Sequence, residues 1–196
     1  NAIARQVLEH KPADIDALMA MEIDGVAVDD VRKNLIAKIG ENINIRRFQC
    51  IETEGQVATY SHGARIGVLV EYDGGTAETG RDIAMHVAAS NPNCIQESDV
   101  PAELLEKERR VVEAQAKESG KPDNIIEKMI DGRMKKYLKE ITLLGQPFVK
   151  DPDQMVEKYL KGAGATVKSF VRYEVGEGIE KKVENFADEV MAQARG

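Results

Sequence analysis

The sequence is poor in the residues that metal sites, disulfide frameworks and many active sites use. Its 196 residues include no tryptophan, two cysteines and three histidines. Cys50 and Cys94 do not form a C-x-x-C pair, so their spacing indicates neither a zinc site nor a disulfide framework. We expect both cysteines to be small buried hydrophobic residues.

Long apolar segments are missing as well. No apolar run approaches the roughly 18 residues that a membrane-spanning helix needs. No basic segment followed by an apolar stretch resembles a secretory leader. We therefore expect a cytoplasmic protein that does not bind to membranes.

The sequence also lacks the common catalytic motifs. None of His10, His62 and His86 lies in a metal-binding pattern such as H-E-x-x-H, and no G-x-S-x-G or Walker motif occurs. The Gly-Ala-Gly-Ala run at 162–165 follows a predicted helix instead of opening one, which is typical of a connector and not of a phosphate loop. The acidic residues of segment 103–113 alternate with basic ones, as on a solvated, ion-paired helix face. We expect an interaction protein and not an enzyme, with no cofactor and no metal.

The charge balance bears on possible partners. The formal net charge is −7 and the sequence pI is near 5.2. Nonspecific affinity for nucleic acids depends on neutralising phosphates with Lys and Arg, so we expect no direct nucleic-acid binding. One basic cluster, Arg133, Lys135, Lys136 and Lys139, is interrupted by Tyr137. It either contacts RNA or pairs with acidic side chains of its own helix, and the second interpretation is favoured.

The first part of the chain predicts helices followed by a hairpin. Residues 1–9 have helical spacing that ends near Pro12. Segment 28–39 carries an apolar face, and Gly40 follows it where a C-cap glycine belongs. From residue 42 the apolar period falls to two, which predicts a strand over 42–50 that pairs with a second strand over 57–61.

The middle of the chain predicts a strand, a buried helix and a pair of long helices. Segment 64–72 is β-prone, and the helix over 76–90 is apolar on most of its circumference, as in a helix packed against a sheet. Two amphipathic segments, 102–119 and 123–140, are separated by a Gly-Lys-Pro turn. They predict an antiparallel helical hairpin of the coiled-coil type.

The last part predicts a short helix capped by residues 151–153, a strand over 167–175 and an amphipathic helix over 179–194. The fold class is therefore α+β, with a mainly antiparallel sheet of three to four strands covered by helices, an inserted helical hairpin and a C-terminal helix. The expected divisions are the remainder of an N-terminal core subdomain at 1–55, a C-terminal core subdomain in two parts at 56–99 and 145–177, the hairpin at 100–144, and a C-terminal helical module at 178–196.

Several sequence blocks follow one another over nearly the whole chain: KIGENINIRR at 38–47, HGARIGVLV at 62–70, DIAMHVAAS at 82–90, SGKP at 119–122, EKMIDGRMKKY at 127–137, QPFVKD at 146–151 and VRYEVGEGIEK at 171–181. In this order they resemble the bacterial elongation factor Ts family. The resemblance implies a guanine-nucleotide exchange factor of translation, which binds elongation factor Tu in a conformation of low nucleotide affinity and promotes GDP release.

The same resemblance implies partner contacts in three places. Ile39 and Gly40 lie in the first block and His62 in the second, whereas His86 is expected to be a core residue. The helical hairpin resembles the insertion through which family members self-associate, so a homodimer is possible. The C-terminal module is expected to dock on the nucleotide-binding domain of the GTPase through Gly178, Ile179, Val183, Phe186 and Val190.

Two alternatives remain at this stage. His62 either stabilises its own turn or contacts a partner, and the resemblance favours contact. The chain could instead be a dimeric scaffold that acts through the helical hairpin and has no exchange activity. The N-terminal helical domain of the family and its Thr-Asp-Phe motif have no match here, so we expect a fragment that binds elongation factor Tu weakly and exchanges nucleotide poorly.

Overall fold

The computed structural model describes residues 1–179, and these fall into two compact units that divide between Glu54 and Gly55. Helices and antiparallel strands occur in both units, so the predicted α+β class is confirmed. No helix within residues 1–179 is long and apolar enough to cross a membrane.

The first unit is a small helical layer with one short hairpin. Val7, Leu18 and Val28 are its buried apolar side chains, one from each helix. Asp24 and Gly25 both have positive φ, as the two central residues of a tight hairpin turn require. The elements are α1 (Ala2–His10), α2 (Ile15–Ala20), β1 (Glu22–Ile23), β2 (Val26–Ala27) and α3 (Val28–Ile39).

The strand predicted over 42–50 is wrong. Residues 41–54 form neither strand nor helix, although Ile43 and Ile45 are partly buried as the alternation requires. The Arg32 guanidinium bonds the carbonyl of Ile43 and the side chain of Asn44, each at 3.1 Å. A side chain of α3 therefore bonds one backbone carbonyl, that of Ile43, that a strand would present to its neighbour. The predicted hairpin partner does form a strand, but it pairs with the segment that follows it.

The second unit contains a three-stranded antiparallel sheet in the order β3-β4-β7. Its helix α4 packs on one face of this sheet, as its apolar circumference predicts. The elements are β3 (Gln56–His62), β4 (Ile66–Gly74), α4 (Ala77–Ser90), a 3₁₀ turn (Glu97–Asp99), α5 (Ala102–Lys117), α6 (Asp123–Ile141), β5 (Pro147–Phe148), β6 (Asp151–Met155), α7 (Val156–Ala163) and β7 (Ala165–Glu174).

The core of this unit lies between α4 and the sheet. Val70 from β4 and Ile83 and Val87 from α4 are almost fully buried there. Helix α4 approaches the sheet closely at Gly80, where an added Cβ would overlap the Tyr72 ring. A glycine at this position lets the aromatic ring lie directly against the helix backbone.

Helices α5 and α6 form the predicted hairpin. They enclose a separate small core of Val112, Ala116 and Ile130, against which Ile126 and Met134 pack. The hairpin is confirmed, and each helix ends within two residues of its predicted end.

Two smaller predictions fail. Residues 151–153 do not cap a helix but lie in β6, which pairs with β5, and α7 begins only at Val156. Burial of Phe148 and Val156 competes with the local capping signal and prevails over it. Cys50 and Cys94 are partly exposed and not fully buried. The predicted helix over 179–194 lies almost entirely outside the described residues.

Candidate protein interface

The C-terminal end of α3 forms an exposed apolar corner. Ile39 is the last helical residue and is 52% exposed. Gly40 follows in the left-handed conformation, with φ 80°, and its N–H donates to the carbonyl of Ile36 at 2.8 Å. Space does not require a glycine here, because an added Cβ would meet nothing within 4 Å. The positive φ does, since glycine adopts it without strain. The helix therefore ends abruptly and leaves a large aliphatic side chain at the surface.

Arg32 holds the chain that leaves this corner. Its Nε and Nη2 donate to Asp29 at 3.0 and 2.8 Å, while Nη1 donates to Ile43 and Asn44. Hydrogen bonds from Lys33 first and from Arg32 second lower the pKa of the Asp29 carboxyl. The carboxylate thus stays ionised, and one guanidinium joins the first turn of α3 to the segment beyond its end.

His62 is presented on the tight β3–β4 hairpin. It is the last residue of β3, pairs with Ile66, and is exposed. The N–H of Arg65 donates to the His62 carbonyl at 3.3 Å, and Gly63 supplies the positive φ that the turn needs. The Tyr60 hydroxyl lies 3.5 Å from His62 Nδ1, and the two rings are stacked at 6.5 Å between centroids. A ring contact and a two-strand support therefore limit the positions of the imidazole.

The end of β7 lies at the same end of the sheet as His62. Glu174, the last residue of β7, pairs with Ile66, and the N–H of Val175 donates to the Arg65 carbonyl at 2.9 Å. Residues 175–178 then form turns, and the apolar side chains of Val175 and Ile179 are exposed. The segment that leads into the predicted C-terminal module therefore starts beside the turn that carries His62.

The other predicted contact residues lie in the first compact unit or outside the described residues. Ile39 and Gly40 belong to the first compact unit. Val183, Phe186 and Val190 lie outside the described residues. Sequence reasoning missed Arg65, Glu174 and Arg172, which form an ion-paired network beside His62. All three lie in blocks that carry the family resemblance, but no spacing rule in the sequence pairs Arg65 with Glu174.

His86 is a core residue, as predicted. Its side chain is fully buried, with Nε2 2.9 Å from Gln146 Oε1, while the N–H of Val149 donates to Nδ1 at 3.2 Å. Because Nδ1 accepts a hydrogen bond, the proton lies on Nε2 and is donated to Gln146. Burial lowers the pKa of this imidazole, which keeps it neutral.

The basic cluster on α6 is engaged within the hairpin at two of its positions. Lys136 lies 3.6 Å from Glu140 one turn later, which confirms intrahelical pairing for this residue. Arg133 donates across the hairpin to Gln115 Oε1 at 2.8 Å. For Lys135 and Lys139, pairing within the helix stays a prediction.

The described residues indicate a protein-binding surface and not a metal site. Within residues 1–179, no three His, Cys, Asp or Glu side chains are grouped so that they could hold a metal ion. The features that stand out are an apolar helix end, a supported histidine turn and apolar residues that leave the sheet. These features are typical of a protein-binding factor on an α+β scaffold.

Comparison with known proteins gives the family. Residues 1–177 match the family model of elongation factor TS. The chain is 62% identical to elongation factor Ts of Thioalkalivibrio sulfidiphilus, across 100% of this chain and 68% of the relative. The identity is 60% with elongation factor Ts of Alkalilimnicola ehrlichii (100% and 68%) and 58% with that of Halorhodospira halophila (99% and 67%). The chain therefore belongs to the elongation factor Ts family of translation elongation factors, and it spans about two thirds of these relatives' length.

Proposed function

We propose that this chain binds elongation factor Tu in the cytoplasm and promotes the release of GDP. Family membership supports the activity. The observation that carries the proposed site is that His62 and the exposed Ile179 lie at one end of the sheet, on a supported turn and on the segment beside it. The apolar corner at Ile39 and Gly40 supplies a second contact.

Exchange of this kind needs no covalent chemistry. A factor that binds the GTPase in a state of low nucleotide affinity is itself displaced by nucleotide, since coupling between two binding sites is reciprocal. If the factor binds one GTPase state more tightly than the other by about 1.4 kcal/mol, the affinity of the GTPase for GDP changes about tenfold. Fully burying an exposed aliphatic side chain contributes about 1.5–3 kcal/mol. Because Ile39 and Ile179 are 52% and 58% exposed, burying the rest of either contributes about half of that, which is still a several-fold change in affinity.

The test measures affinity for elongation factor Tu by titration, together with the release rate of fluorescent GDP at saturating concentrations of the chain. Ile39→Asp and His62→Ala change the proposed contacts. Ile125→Asp is the matched control, because Ile125 is also an exposed isoleucine but lies on α6. We expect affinity to fall at least tenfold for Ile39→Asp, because a buried unpaired carboxylate is costly, and less for His62→Ala. Equal affinity of Ile39→Asp and Ile125→Asp would contradict the proposed site.

We also propose that the helical hairpin pairs with the hairpin of a second copy. An apolar groove between α5 and α6 is lined by Leu105, Met134 and Leu138 and bordered by the charged Arg109 and Asp131. Sedimentation of the chain should show a dimer that Met134→Glu dissociates. If the chain is instead a scaffold that acts only through the hairpin, Met134→Glu abolishes its self-association, and neither the variant nor the wild type binds elongation factor Tu.

A further inference from the structure

We propose that Glu174 is a positioning residue that holds the His62 turn and residues 175–179 in one fixed arrangement, so that both reach the partner together. The inference rests on the proposed function, since elongation factor Tu is the partner that these two features would contact. Glu174 itself need not touch that partner.

The Glu174 carboxylate joins an arginine of the β3–β4 turn to an arginine of β7. Its Oε1 accepts from Arg65 Nε at 3.1 Å, and its Oε2 accepts from Arg172 Nη2 at 2.9 Å. The next residue, Val175, donates its N–H to the Arg65 carbonyl at 2.9 Å. Arg65 is therefore held through its side chain by Glu174 and through its main chain by Val175. Because the Arg65 N–H also closes the turn onto His62, restraint of Arg65 restrains the histidine.

Arg172 ties this network to the core. Its side chain is only 10% exposed, and its Nε donates to the Ala88 carbonyl at 3.3 Å. Ala88 lies in the last turn of α4, where carbonyls have no partner within the helix. Arg172 also lies 3.9 Å from the Glu177 carboxylate, within the segment that leaves the sheet. The network thus runs from α4, through Arg172 and Glu174, to the turn that carries His62.

The charges are consistent with a permanent bridge. The hydrogen bond from Arg172 is the main cause that lowers the pKa of Glu174, and Arg65 adds to it, so the carboxylate is ionised at neutral pH. The Arg65 side chain is 75% exposed, and an exposed ion pair adds little to the stability of a fold. Its effect is therefore expected in the geometry of the turn and not in the free energy of unfolding.

The experiment compares two variants of the bridge with one control. Glu174→Gln keeps the side-chain volume but removes the charge, and Arg65→Ala removes the outer arm while the partly buried Arg172–Glu174 pair remains. Glu157→Gln is the control, since Glu157 forms an exposed ion pair with Lys161 within α7. We expect affinity for elongation factor Tu to fall about five- to tenfold for both bridge variants, as the loss of charge-assisted hydrogen bonds predicts, and to stay unchanged for the control.

Two further readouts separate positioning from general loss of structure. Hydrogen exchange of the Val175 and Ile179 amides should accelerate in Glu174→Gln and Arg65→Ala, while exchange in α4 should not change. In a His62→Ala background, Glu174→Gln should weaken binding less than it does in the wild-type chain, because one of the groups that it positions is already missing.

The outcomes distinguish this inference from the function on which it rests. If His62→Ala and Ile179→Asp both bind with wild-type affinity, the proposed contact surface is wrong and the positioning role falls with it. If those two variants weaken binding but Arg65→Ala binds like the wild type, the surface stands and the positioning role is refuted. If Glu174→Gln fails to fold, Arg65→Ala alone decides, because it leaves the inner pair intact.

Discussion

Gln146 provides a sharp test of how the second unit is held together. It is buried at the point where the chain returns from α6 to the sheet. Its Oε1 accepts the proton of His86, and its Nε2 donates to the carbonyls of Glu140 at 2.6 Å and Ser90 at 3.4 Å. One amide therefore links the end of α4, the end of α6 and the buried imidazole.

Gln146→Met removes these hydrogen bonds while it nearly keeps the shape of the side chain, so no cavity contributes to the result. A buried group that loses its partner costs about 1–3 kcal/mol, and the His86 N–H and the Glu140 carbonyl are two such groups. The 3.4 Å contact to Ser90 is near the limit of a hydrogen bond and adds little. We expect a loss of about 3 kcal/mol in the free energy of unfolding, or roughly 6–12 °C in the thermal midpoint.

The assay is urea unfolding followed by far-UV circular dichroism, combined with hydrogen exchange of α4 and β4 amides to report on this unit separately. Gln56→Met is the matched control, because Gln56 also donates to a carbonyl, that of Gly74 at 3.2 Å, but is exposed. The control should change stability by less than about 0.5 kcal/mol. A loss below about 1 kcal/mol for Gln146→Met would refute the view that this amide is needed to satisfy buried groups.

Three further predictions concern the helices. Gly80→Ala should destabilise the chain by about 1–3 kcal/mol in urea unfolding, because the added methyl group overlaps the Tyr72 ring of β4. Gly132→Ala on α6 should instead stabilise the chain by up to about 1 kcal/mol, because the added methyl group meets nothing within 4 Å. Ile130→Ala should lower the free energy of unfolding by about 2 kcal/mol or more and Ile125→Ala by less than about 1 kcal/mol, because only Ile130 is buried. Equal losses of stability in the two variants, measured by calorimetry, would contradict the hairpin core. Burial lowers the pKa of His86, so the unfolded chain binds its proton first, and stability should fall as pH drops below about 6.5. Urea titrations between about pH 7 and 5.5 should show a flatter profile for His86→Leu, and an unchanged profile would contradict this assignment.

Elements with local signals were predictable from the sequence. Helix α3 ends at the glycine that its pattern indicates, and the break between α5 and α6 lies at the predicted Gly-Lys-Pro turn. Strands β3 and β4 on either side of His62 also lie where β-prone segments were predicted, although the expected partner of β3 was segment 42–50. Each of these depends on residues within a few positions of one another, where backbone sterics and helix-end hydrogen bonds act directly.

Residues 42–50 do not form the predicted strand, because a local pattern does not determine the hydrogen-bond partners of the backbone. The alternation holds only at its start, where Ile43 and Ile45 are partly buried, and the carbonyl of Ile43 is bonded by Arg32 of α3 and not by a neighbouring strand. An alternating pattern indicates a half-buried extended chain and does not identify what pairs with its backbone. The same holds for residues 151–153, where strand pairing prevails over a capping signal.

The residues of the proposed site divide in the same way. The exposed Ile39 and the turn of His62 follow from local sequence, and the family resemblance pointed to both. Arg65 and Glu174 are 109 positions apart, and no spacing rule connects them. Only the antiparallel register of β4 and β7 places one beside the other.

The sequence alone therefore determined the class of the fold, the ends of most helices and the family. The fold class and the helix ends depend on near neighbours in the chain and on composition, whereas the family followed from the resemblance of sequence blocks taken in order. The tertiary structure alone decided that β3 pairs with β4 and not with the segment before it, that Gln146 satisfies His86, and that Glu174 joins two arginines. Such contacts form where buried polar groups and charges from distant segments compete for the same partners, and only the packed chain settles that competition.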